Sequence, residues 1–351
     1  MAITHHDVRY LPYVPRTKEE GPAMQAVQAT AFGDPSVLSV AELPDPTPGP
    51  GQIAIDVTHA AIGLIDLFFR QGVYKDRPGM PQPPFVPGLE VTGTVRELGE
   101  GVDELKLGEP VVALSRNGTG GYASVYVADA AMAVSLEGYS IDPALAVSVI
   151  PNAAMAHAAL TGVAHLLEGE SVLVHGALGG LSSAFPGIAK QLGASRVIGT
   201  VLPGKLKAAA STRLPYDQIV DSTQLADALG DEKFDVVVDP VGGELRTLSL
   251  TLMRPGARLI AAGNASGDWT HTVADNQLWL GGITIAGFNA GAYFPTHPQV
   301  LRPALTAARS MVAAGLGETV VEALPFAEAP LAHERMETRS LAGRLVLTPG
   351  S

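Results

Sequence analysis

The chain of 351 residues contains no cysteine. That absence excludes disulfides, thiolate nucleophiles and any zinc site built on Cys ligands. Cations are also scarce: 23 Lys and Arg stand against 35 Asp and Glu, a formal charge of −12. Such a chain repels a phosphate backbone and shows no basic stripe to offset the repulsion, so nucleic acid is not an expected partner. Aromatic residues make up only 5% of the chain, with two tryptophans. The first residues carry His5, His6, Asp7 and Arg9 and then prolines, with no apolar h-region, and no uncharged apolar run of membrane-spanning length is expected further on. The expectation is a soluble, cytoplasmic protein without a membrane segment.

What is present is a globular composition, 46% hydrophobic, long enough for about two domains. Residues 1–23 read as an N-terminal extension rich in charge, His and Pro. From 24 to 145 short alternating strands are broken by Gly/Pro turns, the pattern of a small, partly closed β-barrel. NAAMAHAALTGVAHLL then reads as helix. After it strands alternate with helices at 172–175, 196–201, 218–220, 235–239, 257–262 and 282–287, which predicts a doubly wound parallel sheet over 146–315. The segment 316–351 closes on GRLVLTP, which alternates like a barrel strand and is expected to rejoin the first domain.

The most informative string is SVLVHGALGGLSSAFPGIAKQLGA, Ser171 to Ala194. It reads as a buried strand, a glycine turn and a helix, a socket for a dinucleotide pyrophosphate. Gly176, Ala177, Gly179, Gly180 and Leu181 make up the turn, and the helix is expected to add its N-terminal dipole. A glycine turn alone is weak evidence; the second strand SRVIGTV at βαβ spacing strengthens it. The third turn glycine of the usual pattern is Ser182, and Pro186 implies a bent or delayed helix start. About twenty residues past the glycines, where an NAD site carries an acid, stands Thr200, followed by Lys205, Lys207 and Arg213. A neutral strand end with nearby cations favours NADPH, although the lysines also suit a solvated helix start.

Eight strings in order, among them FGDPSVLSV with PGPGQIAIDV, IDLFFRQGVY, PFVPGLEVTGTV, GGYASVYV, FDVVVDPVGG and RPGARLIAAGNASG, resemble the zinc-independent quinone oxidoreductase and enoyl reductase branch of the medium-chain dehydrogenase/reductase superfamily. The zinc branch has GHE where this chain has GLE, Gly88 to Glu90, and His59, His157, His165 and His175 show no ligand spacing. No metal is expected. The resemblance implies a GroES-like barrel domain joined to a Rossmann NADPH domain, a homodimer, and hydride transfer to a small quinone or enone. It implies cofactor contacts from Val241, Gly263, Asn264, Ala265, Ser266, Phe288, Asn289 and Arg339, with Gly242 helping to close one wall through its backbone. Phe288 reads equally as a core aromatic.

For the chemistry, Tyr74 is the candidate catalytic residue, a phenol able to polarise a carbonyl, with an amphipathic rim residue as the competing reading. Phe68 and Phe69 would form an apolar wall. Gly63 and Asp66 are expected at the substrate, with Gly63 standing where many relatives carry Asn. The alternative function is an NADPH-binding protein with little turnover, serving as a sensor or in a structural role.

Overall fold

The computed structural model describes residues 23–115, 118–338, 341 and 343–350. The expected extension over 1–23 therefore lies outside the described residues except for Ala23, and Arg339 lies outside them as well. Two antiparallel strands, β1 (Ala23–Ala29) and β2 (Leu38–Pro44), pair with each other at the edge of the first half. Five more follow: β3 (Gln52–Ala61), β4 (Glu90–Leu98), β5 (Pro110–Leu114), β6 (Val125–Asp129) and β7 (Ala133–Ser135). β3 is the hub. It pairs antiparallel with β4 on one side and with β6 along its first five residues. Register shifts in the β3–β4 ladder let the long strand bend into barrel curvature.

All six expected strands of the second half are present: β8 (Ser171–Val174), β9 (Arg196–Val201), β10 (Gln218–Asp221), β11 (Phe234–Asp239), β12 (Met253–Ala261) and β13 (Thr284–Gly287). They form one parallel sheet in the order β10-β9-β8-β11-β12-β13. The order reverses at β8, so the crevice outside the carboxyl end of β8 lies at the switch point where ligands of such sheets bind. Near-continuous burial of β8, β9 and β11 is what a sheet covered by helices on both faces demands.

The tail returns as expected. β14 (Val321–Pro325) and β15 (Arg344–Thr348) join the barrel sheet, with Val346 and Leu347 of β15 paired to Ala61 and Ala60 of β3. The helix read at NAAMAHAALTGVAHLL begins earlier, at Pro143, with Asp142 capping it through the Leu145 amide. It passes into a π-helical turn, Ala159–Val163. Contrary to the expectation of no such run, Pro143–Val163 has the length and composition of a membrane span, but 72% of its apolar window is buried inside the protein. It packs against the helix Pro298–Ala313 and the barrel strands as a core helix.

Candidate functional site

The glycine turn leaves β8 at His175 and is folded by short-range necessity. Gly176 adopts φ +66°, a left-handed conformation that an L side chain rarely takes. Ala177 donates to the Thr200 carbonyl at 2.8 Å and Gly179 to the Gly176 carbonyl at 2.7 Å, which tucks the turn against β9. The Leu178, Gly180 and Leu181 amides donate to no backbone carbonyl among the described residues. Three unpaired donors on one turn are what an anion requires. A Cβ at Gly180 would lie 1.7 Å from Arg344 Nη1, so a guanidinium borders the turn and a side chain at 180 would displace it.

The helix behind this turn differs from expectation. A 3₁₀ turn, Ser182–Ala184, precedes a seven-residue helix, Phe185–Gln191, with Pro186 in its first turn. The delayed start that Pro186 implied is present, and the proline avoids the penalty it would incur deeper in a helix. The donors left open after β8 are therefore amides of the turn and not those of an α-helical N-terminus. Ser182 in place of glycine spends its hydroxyl on the His175 carbonyl at 2.8 Å.

Thr200 also departs from expectation. Its side chain is fully buried, with Oγ1 3.0 Å from His175 Nδ1, while His175 Nε2 lies 2.7 Å from Ser249 Oγ. The hydroxyl serves this internal chain and is not presented to a ribose; burial pushes the His175 imidazole down to about 4 and keeps it neutral. Lys205, by contrast, reaches out: its Nζ donates to the Leu341 carbonyl at 3.0 Å, which ties the loop after β9 to the tail.

The loops after β11 and β12 form the other wall. Ala265 and Ser266 amides donate to the Pro240 and Val241 carbonyls, zipping 240–241 against 264–266. Gly242 lies so close to Asn264 that a Cβ would come within 2.5 Å of Oδ1, and Gly263 meets the Pro240 carbonyl as tightly. Asp239, absent from the sequence-based site, anchors the wall: its carboxylate accepts from the Val241 and Gly242 amides and from Arg246 Nε at 2.6 Å. Its signal was the FDVVVDPVGG string itself, an acid at a strand end followed by a glycine pair. Val241 leans over Gly176, 3.6 Å from where its Cβ would be. Phe288 is a buried core aromatic, packed with Tyr293 and Phe294, which favours the second of its two readings. Asn289 caps the helix Ala290–Thr296 through the Gly291 amide at 3.0 Å.

On the barrel side, Tyr74 sits in the turns after the helix Leu64–Arg70, half-buried, with Phe68 and Phe69 edge-on at 6.1 and 6.0 Å and the Arg77 guanidinium 4.8 Å over its ring. Burial raises its phenol above the ordinary value, against the pull of Arg77, so it stays a donor at neutral pH. Asp66 is corrected. It is buried, and its two oxygens accept from the Gly63 amide at 2.8 Å and the Gly88 amide at 3.1 Å, so it shapes the helix entry and does not face a substrate. Gly63 is the residue it caps. Tyr122 also pairs with Asp66 and lies 3.2 Å from His333 Nε2, a buried chain invisible in the sequence because Tyr122 and His333 are 211 residues apart.

Glu90 adds a second carboxyl to this buried cluster. Burial pushes its carboxyl up to about 7 against the attraction of Arg344, and the neighbouring Asp66, also up to about 7 through burial, adds to the rise. A carboxyl in an unfolded chain titrates near 4. Between pH ~4 and ~7 the unfolded chain therefore sheds protons that the folded protein keeps, so this contribution to stability is present at low pH and lost as pH rises through 7. Glu90→Gln, a mimic of the protonated form, should gain stability relative to wild type as pH rises. Urea midpoints measured at pH 5 and 8 should differ more at pH 8, and an equal gap at both would refute the account.

Two family models match the chain: an alcohol dehydrogenase GroES-like domain over residues 49–138 and a zinc-binding dehydrogenase domain over 214–347. The second description names zinc, yet the chain lacks cysteine and no group of three or more His, Asp or Glu among the described residues is placed to hold a metal ion. A zebrafish synaptic vesicle membrane protein VAT-1 homolog is 28% identical over 85% of this chain, which spans 64% of that protein, just under two thirds. A Pseudomonas aeruginosa quinone oxidoreductase is 28% identical over 92% of this chain and 99% of its own length. The solved structure of Escherichia coli quinone oxidoreductase complexed with NADPH superposes with a TM-score of 0.78 at 26% identity, covering 93% of this chain and 100% of that one. With barrel, parallel sheet and returning tail all in place, the chain has the medium-chain dehydrogenase/reductase fold and is similar over nearly its whole length to quinone oxidoreductases of the zinc-independent branch.

Proposed function

We propose that the protein is an NADPH-dependent reductase whose acceptor is a small quinone or an α,β-unsaturated carbonyl compound. The observation that carries this reading is the set of unpaired amides at Leu178, Gly180 and Leu181, bordered by the Arg344 guanidinium, at the switch point of the parallel sheet. The donor set suits a pyrophosphate: backbone N–H groups with a cation alongside, and no acidic side chain on the turn itself. Lys205 is the cation we assign to the 2′-phosphate, and the loops 240–243 and 263–266 would flank the nicotinamide through Val241, Gly263, Asn264, Ala265 and Ser266. A related enzyme of the same fold is described with NADPH, which supports the choice of coenzyme.

Reduced nicotinamide supplies a hydride when bound. The protein's part is to polarise the acceptor and to furnish a proton, and Tyr74 is the group suited to both. Its protonated phenol can donate to a carbonyl oxygen as negative charge develops there, while Phe68 and Phe69 fix the ring and exclude water. An acceptor that is already electrophilic needs no stronger acid, which favours quinones and enones over alcohols. We place the enzyme in the cytoplasm as a homodimer. β13 has β12 as its only described neighbour, and the preceding helix exposes Trp279 and Leu280 at 79% and 77%, an edge suited to pairing with a second copy across a two-fold axis.

Loss of the near-ultraviolet absorbance of NADPH in the presence of quinones or enones is the direct test; coenzyme uptake with no acceptor reduced would favour the binding-protein alternative. Tyr74→Phe should lower kcat by about tenfold to a hundredfold while the affinity for NADPH stays unchanged. If kcat is unaffected, Tyr74 is a packing residue. Lys205→Glu should raise KM for NADPH far more than for NADH, and a matched rise in both would remove the 2′-phosphate assignment. Sedimentation equilibrium should give twice the chain mass for wild type and a monomer for the pair Trp279→Glu, Leu280→Glu; a wild-type monomer in the soluble fraction would end the dimer proposal.

A further inference from the structure

Tyr216 approaches the glycine turn from behind. It lies between the short helix Leu206–Ala209 and β10, and its hydroxyl is 3.1 Å from the Ala177 carbonyl and 3.0 Å from the Ser182 carbonyl. One phenolic proton is thus shared between the first part of the turn and the start of the 3₁₀ segment. Its ring rests on Gly199 of β9, where a Cβ would be 3.1 Å from ring carbons, and the same missing side chain makes room for Ala177. Tyr216 also lines a cavity of about 250 Å³ with Leu206, Ala209 and Leu214. Burial raises the phenol well above its ordinary value, and the proton stays in place at any working pH.

A trans peptide is planar, with its C=O and N–H pointing in opposite directions. The Ala177 carbonyl belongs to the same plane as the Leu178 amide, one of the three unpaired donors. Drawing that carbonyl toward Tyr216 turns the Leu178 N–H the other way. We infer that Tyr216 is a positioning residue for the coenzyme: its hydroxyl clamps the Ala177 and Ser182 carbonyls on the far side of the turn and thereby aims the Leu178 amide at a pyrophosphate oxygen. The inference rests on the assignment of this turn to a dinucleotide. Tyr216 touches neither coenzyme nor acceptor, so its effect falls on binding and not on the chemical step.

Calorimetric titration of NADPH into the full-length protein separates the two claims. Wild type binding, with Tyr216→Phe binding about tenfold more weakly, is the expected result, since a single net hydrogen bond is at stake. kcat at saturating NADPH should hold while KM rises, and coenzyme should protect the 176–183 segment from hydrogen exchange less in the variant than in wild type. Para-aminophenylalanine at position 216, which keeps a donor at the same reach, should restore binding. No uptake by wild type would overturn the dinucleotide assignment itself, and this inference with it. Binding by wild type with equal affinity in Tyr216→Phe would overturn the clamp alone. A Tyr216→Phe chain that fails to fold would also overturn it, because the hydroxyl would then serve the fold as a whole.

Discussion

The contact between Arg344 and Gly180 is the constraint from which the site follows. Arg344 opens the last barrel strand, and Gly180 lies in the turn after the first strand of the parallel sheet, so the contact joins the two halves where a dinucleotide would lie. The guanidinium occupies the space that a side chain at 180 would take. The contact also brings that guanidinium into a buried region, a cost met by the neighbouring Glu90 and Asp66, whose attraction opposes the desolvation of the arginine. The carboxyls in turn are held near their protonated forms by burial, so charge at the seam depends on pH around neutrality.

Around that seam the protein keeps its polar groups neutral or paired. His175 and His333 are buried with their imidazoles held low by desolvation, the latter to about 3 with the Arg70 guanidinium adding to the effect. Arg70 is itself fully buried, donating to the Gly33 carbonyl and paired with Glu337. Asp239 is satisfied by two amides and Arg246. The paired Asp239 and the neutral imidazoles hold loops rather than exchange protons, whereas Asp66 and Glu90 are the buried carboxyls whose charge changes around neutrality.

Much of this architecture is written in local sequence. The six sheet strands, the glycine turn, the delayed helix at Pro186 and the returning strand GRLVLTP were all legible, because periodicity, glycine and proline act over a few residues. What was not legible is which face a side chain takes and what distant residue meets it. Thr200 and Asp66 were read as site residues from their position along the chain, and burial turned both inward. Lys205 met Leu341 across 136 residues, and Arg344 met Gly180 across a similar span; neither meeting leaves a trace in composition or spacing. Tyr216 was missed for the same reason, since an isolated aromatic before a strand carries no signal until its hydroxyl is seen to bridge two carbonyls.

The place of β15 has a consequence for how the chain acquires its shape during synthesis. Every strand of the parallel sheet is contained within residues 171–287, so that sheet can complete its pairing while translation is still under way. The barrel cannot. Its hub strand β3 waits for partners at Val346 and Leu347, nearly three hundred residues downstream, and until they emerge its hydrophobic edge is open to other chains. The nascent polypeptide thus carries an unfinished first half past a finished second one, and truncations near the C-terminus should harm the N-terminal half more than the segment beside them.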